Sequence, residues 1–290
     1  MSSLEISKYR GPALILLSTL CFSTTGTSQA LAPEGASPLL IGGVRLCLGC
    51  LCMLAWCFIS KKNLSLKGWP LKRTIASALG IVAYQLTFFA AVASTGVAVG
   101  TVVTCGSIPL VASILGYLLL KEKPVKIWYP ATAVALAGLI LLSITDNMET
   151  KPVGLLLAVC SGLAYALHIA LGKSLTQTHD PGVVVTVLFT IGAIIIFPVF
   201  LCFPVNWMAS GRGALICLHL GLITAAAGYS LYLAGLKCTP LSTATTINLS
   251  ESLLAACWGI FLLGEHVTGL QILGMGLIFS STVLLTLKPR

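Results

Sequence analysis

Ten apolar runs, each long enough to cross a bilayer, divide this chain almost end to end. They lie near 11–32, 37–60, 72–94, 96–120, 125–145, 152–174, 181–204, 213–236, 239–263 and 267–287. A hydrocarbon core about 30 Å thick takes roughly 20 apolar residues of helix. Within it every backbone N–H and C=O needs an internal partner, which leaves only helices and closed barrels. The runs are too long for barrel strands and show no alternation of polar and apolar residues. The expected fold is therefore an all-α integral membrane protein of ten transmembrane helices. With 57% hydrophobic and only 9% charged residues, the composition excludes an ordinary soluble domain.

A net charge of +9 would suit a nucleic-acid partner if the cations were clustered on one folded surface, but they fall in the breaks between runs. With a cytoplasmic N-terminus, fourteen lie inside: Lys8, Arg10, Lys61, Lys62, Lys67, Lys72, Arg73, Lys121, Lys123, Lys126, Lys173, Lys237, Lys288 and Arg290. Only Lys151 and Arg212 lie outside, and Arg45 sits within a run. This bias predicts a multi-pass protein of the cytoplasmic (inner) membrane with both termini cytoplasmic. Its partners are then membrane lipid and a small molecule, with no role for nucleic acid. Ten of the eleven cysteines fall inside the runs, where thiols pack as small apolar groups, and Cys238 lies at the join of two of them. Cys47, Cys50 and Cys52 lack a second ligand pair, so no metal site is expected. Residues 1–32 resemble a signal peptide, but Pro33 follows the would-be cleavage site and the segment has a counterpart later in the chain.

That counterpart belongs to a repeat. A shift of 143 residues aligns Gly11 with Gly154, Ser18 with Ser161, Pro38 with Pro181 and Glu122 with Glu265; one further residue aligns Phe88 with Tyr232 and Thr95 with Thr239. Residues 1–147 and 148–290 thus form two five-helix repeats of one transport domain. Five is odd, so the second half enters the membrane from the opposite side. Inverted repeats are a common basis for alternating access. On the segments IPLVASILGYLLLKEKP (108–124), ESLLAACWGIFLLGEHVT (251–268) and PLLIGGVR (38–45), the chain resembles the drug/metabolite transporter superfamily, in its EamA-type branch. Where the family's second copy carries a proline after the acidic residue, this sequence has Ser252, which predicts a ninth helix less kinked than the fourth at Pro109.

Charges inside the runs mark the expected pathway. In NLSESLLAACWGIFLLGEH (248–266), Glu251 is placed where an ionised side chain costs at least about 2.5 kcal/mol. At helical spacing, Ala244, Asn248, Glu251, Ala255 and Trp258 share one side of the ninth run, while Leu253, Leu254, Leu262 and Leu263 cover the others. Arg45 is the other deep charge. It either pairs with Glu251, extends to the headgroups, or binds a substrate carboxylate. The sixth run presents Ser161, Tyr165 and His168, and the first presents Ser18, Phe22 and Thr25 at matching positions. The third contributes Tyr84, Gln85 and Phe88, the eighth Tyr229 and Tyr232, and the fourth Thr101 and Thr104.

The candidate substrate-binding set is therefore Glu251, Asn248, Arg45, His168, Tyr165, Tyr84, Gln85, Tyr229, Trp258 and Thr25, with Glu251 and His168 as candidate proton carriers. Each has a structural alternative: packing for the aromatics, a hydrogen-bonded role for His168. The fifth and tenth runs are nearly free of polar residues and should buttress the other eight. No phosphate loop, HExxH pair or Ser-His-Asp set is present, so neither enzymatic activity nor a cofactor is expected. The resemblance implies outward secondary transport of a small polar or amphipathic metabolite, an amino acid or derivative, by a monomer or weak homodimer. Import of a cationic or nucleoside-like nutrient is the alternative, and a non-transporting membrane sensor or assembly subunit the rival of another class.

Overall fold

The computed structural model describes residues 3–144, 151–264 and 266–287, with backbone alone at 3–8 and 96–98. Glu265, Lys288 and Arg290 lie outside these. Helices follow every predicted run: α1 (Ser3–Ala30), α2 (Pro38–Ile59), α3 (Leu71–Leu120), α4 (Trp128–Leu142), α5 (Pro152–Leu175), α6 (Pro181–Ile196), α7 (Gly211–His219), α8 (Gly228–Cys238), α9 (Leu241–Asn248), α10 (Ser250–Leu263) and α11 (Gly269–Leu287). A 3-10 turn, Phe197–Leu201, prolongs α6, and a π-helical segment, Leu220–Ala227, joins α7 to α8. Eight helical segments are long and apolar enough to cross a membrane; α4 is apolar but only 15 residues long, and α1 is diluted by Ser and Thr. No strand occurs among the described residues.

Fifty residues of unbroken helix would run about 75 Å, yet α3 folds back on itself. A Cβ placed on Gly100 would lie 3.0 Å from Val92 Cγ2, whereas eight residues of straight helix separate Cα atoms by about 12 Å. The chain therefore reverses between Thr95 and Val99, giving two antiparallel arms, Leu71–Thr95 and Val99–Leu120. These are the third and fourth runs. Gly100 allows the arms to meet where any larger residue would push them apart.

Contacts repeat under the 143-residue shift. Gly11 abuts Thr239, and its counterpart Gly154 abuts Thr95. Ser250 Oγ donates to Thr19 Oγ1 across 3.3 Å, and the counterparts Ser107 and Gly162 also touch. Gly138 packs on the backbone of Gly274, while the equivalent pair is closed by Ser281 Oγ donating to Ala131 O at 2.7 Å. Lys173, at the end of α5, reaches Thr239 O, the residue that Gly11 touches near the start of the first span. The ends of α5 and the beginning of α1 thus share a face, so the two halves are inverted. The Gly138–Gly274 contact couples α4 to α11 at the margin of the bundle, as expected of the fifth and tenth runs. Trp128 Nε1 donating to Ser242 O at 2.9 Å ties that pair to α9.

The kink falls in the other half from the one expected. Backbone helix continues through Pro109, whereas the ninth run breaks at Leu249 into α9 and α10. The reason is local hydrogen bonding. Leu249 N bonds to Thr246 O and Ser252 N to Leu249 O, both three residues back, and Ser250 Oγ caps Ile247 O at 2.7 Å. Serine hydroxyls competing for the ladder bend a helix without proline.

Candidate functional site

Breaking the ninth run at Leu249 brings its polar residues together. Asn248, at the end of α9, donates from Nδ2 to Glu251 Oε2 at 3.2 Å, while its own Oδ1 is buried without a partner. Glu251 opens α10 and remains partly exposed, as do residues 252–258 after it. An acid so placed lines a space.

Arg45 faces the same region from α2. Its guanidinium carbon lies 5.4 Å from the Phe22 ring centre and 5.6 Å from that of Tyr229, within cation–π range. Nη2 donates to Thr224 O at 3.4 Å, a carbonyl of the π-helical segment. Such segments recur at functional sites because the wider turn leaves a backbone group for other partners. Nε has no partner. Arg45 and Glu251 are within electrostatic reach of one another but form no ion pair within 4 Å. Neither headgroup snorkelling nor a closed salt bridge describes this arginine.

Aromatic rings fill the ground between the charges. Tyr84 and Tyr165 lie 4.7 Å apart, Tyr229 is 5.0 Å from both Phe22 and Phe189, and Phe22 is 6.0 Å from Tyr232. The Tyr232 hydroxyl is buried with no partner. Beneath Arg45 a crevice lined by Gln85, Ile81, Phe189 and Tyr229 narrows until no water fits.

Other candidates are engaged elsewhere. His168 is 1% exposed and held to the first arm of α3, its Nδ1 2.9 Å from Ser77 O and 3.2 Å from Ser77 Oγ. Trp258 Nε1 donates to Ser23 Oγ at 3.0 Å, and Gln85 Nε2 to Gly42 O at 3.0 Å. Thr25 is partly exposed with an unpartnered hydroxyl. On the fourth run, Thr104 donates to Ala158 O at 3.1 Å, and its neighbour Cys105 packs against the cluster of Ala135, Leu139, Leu249 and Ile278. Thr101, on the same face, is partly exposed. Cys105 and Phe189 carried no signal in the sequence, since both read as ordinary packing. No cluster of three or more potential metal ligands occurs among the described residues.

Burial differs between the two ends of this region. Residues 24, 25, 101–103, 105–107 and 251–258 are partly exposed, whereas 168–173 and 241–247 are buried. At the buried end Lys173, counted above among the interfacial cations, is 3% exposed and meets Glu122 Oε1 at 2.6 Å. Its Nζ also donates to Thr239 O at 2.5 Å, while Leu241 N donates to Glu122 Oε2 at 2.8 Å. This network ties the ends of α3, α5 and α9 together across the lysine-rich face.

Comparison with known proteins agrees with this architecture. The sequence profile of the EamA-like transporter family matches twice, over residues 9–144 and 152–287. The uncharacterized transporter YwfM of Bacillus subtilis is 36% identical over 95% of this chain and 93% of its own. The threonine/homoserine exporter RhtA of Escherichia coli K12 is 26% identical, covering 96% of this chain and 92% of RhtA. A solved crystal structure superposes with a TM-score of 0.82 at 16% identity, over 97% of both chains, a likeness of fold alone.

Proposed function

Because the chain belongs to the EamA-like transporter family and is a multi-pass membrane transporter, we propose that it exports an amino acid or a close derivative from the cytoplasm by alternating access. The observation that carries this reading is the pair of opposite deep charges, Arg45 and Glu251, in one aromatic chamber with no ion pair between them. An α-amino acid bears a carboxylate and an ammonium. Arg45, with Nε and part of its fork free, takes the carboxylate. Glu251, oriented by Asn248, takes the ammonium, and Tyr84, Tyr165 and Tyr229 enclose the side chain. Outward direction is supported by the named activity of RhtA. The lysine-rich face is then cytoplasmic, and the partly exposed end around Glu251 faces out.

Glu251 also serves as the proton site in this reading: with substrate released, the carboxylate takes up a proton and returns neutral. His168, held by Ser77, contributes packing. The two repeats, 1–147 and 148–290, move against each other about the Arg45–Glu251 region. Proteoliposomes loaded with common amino acids and their derivatives test the proposal by counterflow. Saturable exchange of at least one zwitterionic amino acid is expected, and absence of saturable flux across the panel overturns it.

A further inference from the structure

Away from Arg45 and Glu251, the second arm of α3 and the start of α4 border an open surface groove of about 490 Å³. Its walls include Ile114, Tyr117 and Leu118 on one side, Lys123 and Lys126 in the connection, and Tyr129 on the other. These side chains face outward: Ile114 is 60%, Tyr117 54%, Leu118 65% and Tyr129 59% exposed. In a membrane protein that surface meets lipid. The pocket is apolar along the helix and carries two ammonium groups and two phenols at the membrane edge, on the lysine-rich face. That is the chemical order of a phospholipid, acyl chain to headgroup.

Charge bookkeeping strengthens the case. Glu122, the acid of this connection, is turned inward onto Lys173. Ion pairs among the described residues are Lys62–Asp180 and Lys173–Glu122, so no carboxylate of a described residue lies within 4 Å of Lys123 or Lys126.

The repeat supplies an internal control. Shifted by 143 residues, Tyr117, Lys123, Lys126 and Tyr129 become Ile260, His266, Gly269 and Ile272, while Leu118 becomes Phe261. The apolar wall survives on the opposite face, whereas both lysines and both phenols are lost and only His266 remains polar. Packing the repeat does not require these four residues.

We propose that this pocket binds one anionic glycerophospholipid of the adjoining leaflet. Its phosphate sits between Lys123 and Lys126, the Tyr117 and Tyr129 hydroxyls hydrogen-bond the headgroup, and an acyl chain lies along Ile114 and Leu118. Basic pockets between helices on the cytoplasmic side bind anionic headgroups in this way. The site needs only that the chain spans a membrane, and so stands or falls apart from the transport reading.

The test uses the purified, delipidated full chain in neutral detergent, with dioleoyl phosphatidylglycerol and dioleoyl phosphatidylcholine as probes in native mass spectrometry and thermal-shift titration. One tightly held phosphatidylglycerol and a rise in Tm are expected, with phosphatidylcholine bound at least about tenfold more weakly. K123Q/K126Q should lose that preference, whereas K67Q/K72Q, which removes the same charge elsewhere on the face, should keep it. Should the first variant fail to purify, K126Q alone with Y117F carries the same comparison. Equal binding of the two lipids, or equal loss in K67Q/K72Q, overturns the proposal in favour of diffuse attraction. Displacement of phosphatidylglycerol by soluble glycerol phosphate overturns it in favour of a free-phosphate site.

Discussion

Arg45 and Glu251 were legible because a charge in an apolar run is costly enough to need a reason. What the sequence withheld was their relation. Whether two deep charges pair depends on rotamers and on who else is present, and here Phe22, Tyr229 and the Thr224 carbonyl hold the guanidinium apart. The burial of Lys173 was hidden for the opposite reason. A lysine at a helix end reads as interfacial until its partner Glu122, fifty-one residues earlier, is known to stand beside it. Two substitutions separate the roles of the chamber charges. If Arg45 binds a substrate carboxylate, Arg45→Ala removes a charge-assisted hydrogen bond, about 1.5–3 kcal/mol, and should weaken amino acids roughly 10- to 150-fold. Their decarboxylated amines should be little affected, as read by competition in a binding assay. A uniform loss of folded protein would make Arg45 structural instead. Glu251→Gln keeps shape and the Asn248 contact but holds no exchangeable charge. We expect its flux to be independent of pH between about 5 and 8, the range in which wild-type flux should vary; an unchanged pH profile removes Glu251 from coupling.

At the scale of elements, hydropathy located all ten runs because span length is set by the bilayer and not by tertiary contacts. Their internal irregularities were hidden. The break at Leu249 arises from serine and backbone bonds three residues apart, and the π-helical turn from packing around Arg45, neither of which has a reliable residue signature. Interfaces give a sharp prediction. A Cβ on Gly138 would lie 2.7 Å from Gly274 O and 2.9 Å from Ile278 Cγ1, whereas one on Gly276 meets nothing within 4 Å. Gly138→Val should therefore cost about 1–3 kcal/mol by overpacking and lower Tm, with Gly276→Val neutral; equal effects would refute this interface. The start of α6 offers a pH test. Asp180 Oδ1 accepts from Gly182 N at 2.9 Å, and Oδ2 from Lys62 at 3.0 Å. Partial burial pushes this carboxyl up, but the Lys62 contact and the Val183 and Gly182 amides outweigh it, leaving it below its ordinary value. A depressed folded-state value means the stabilisation is complete above about pH 4 and fades as pH falls through the folded value. With the pair partly exposed, the ion pair contributes at most about 1 kcal/mol. Asp180→Ala should lower Tm at pH 7 and lose that difference toward pH 3.

For the whole molecule, the constant 143-residue shift made the inverted architecture readable, yet function depends on where the symmetry fails. The counterpart of Lys173 is Ala30, so the opposite face cannot form the equivalent of the Lys173–Glu122 pair. The lysine-rich end is thereby tied by a pair that has no equivalent at the other end. If the latch holds this state, removing it should let the repeats rock the other way. Removing one partner alone would strand a charge, so the informative change is K173M with E122Q, which is neutral overall. A network worth about 1–3 kcal/mol shifts a two-state ratio roughly 5- to 150-fold. The readout is labelling of Cys105, left as the sole cysteine, by a bulky membrane-impermeant maleimide applied to either face of oriented vesicles. In the otherwise unchanged chain, labelling should come from the face away from Lys173. In the double variant it should fall there and emerge on the lysine-rich face by a comparable factor. Identical labelling in both would mean that the bundle, and not the latch, sets the resting state, and that the asymmetry between Lys173 and Ala30 has no conformational consequence.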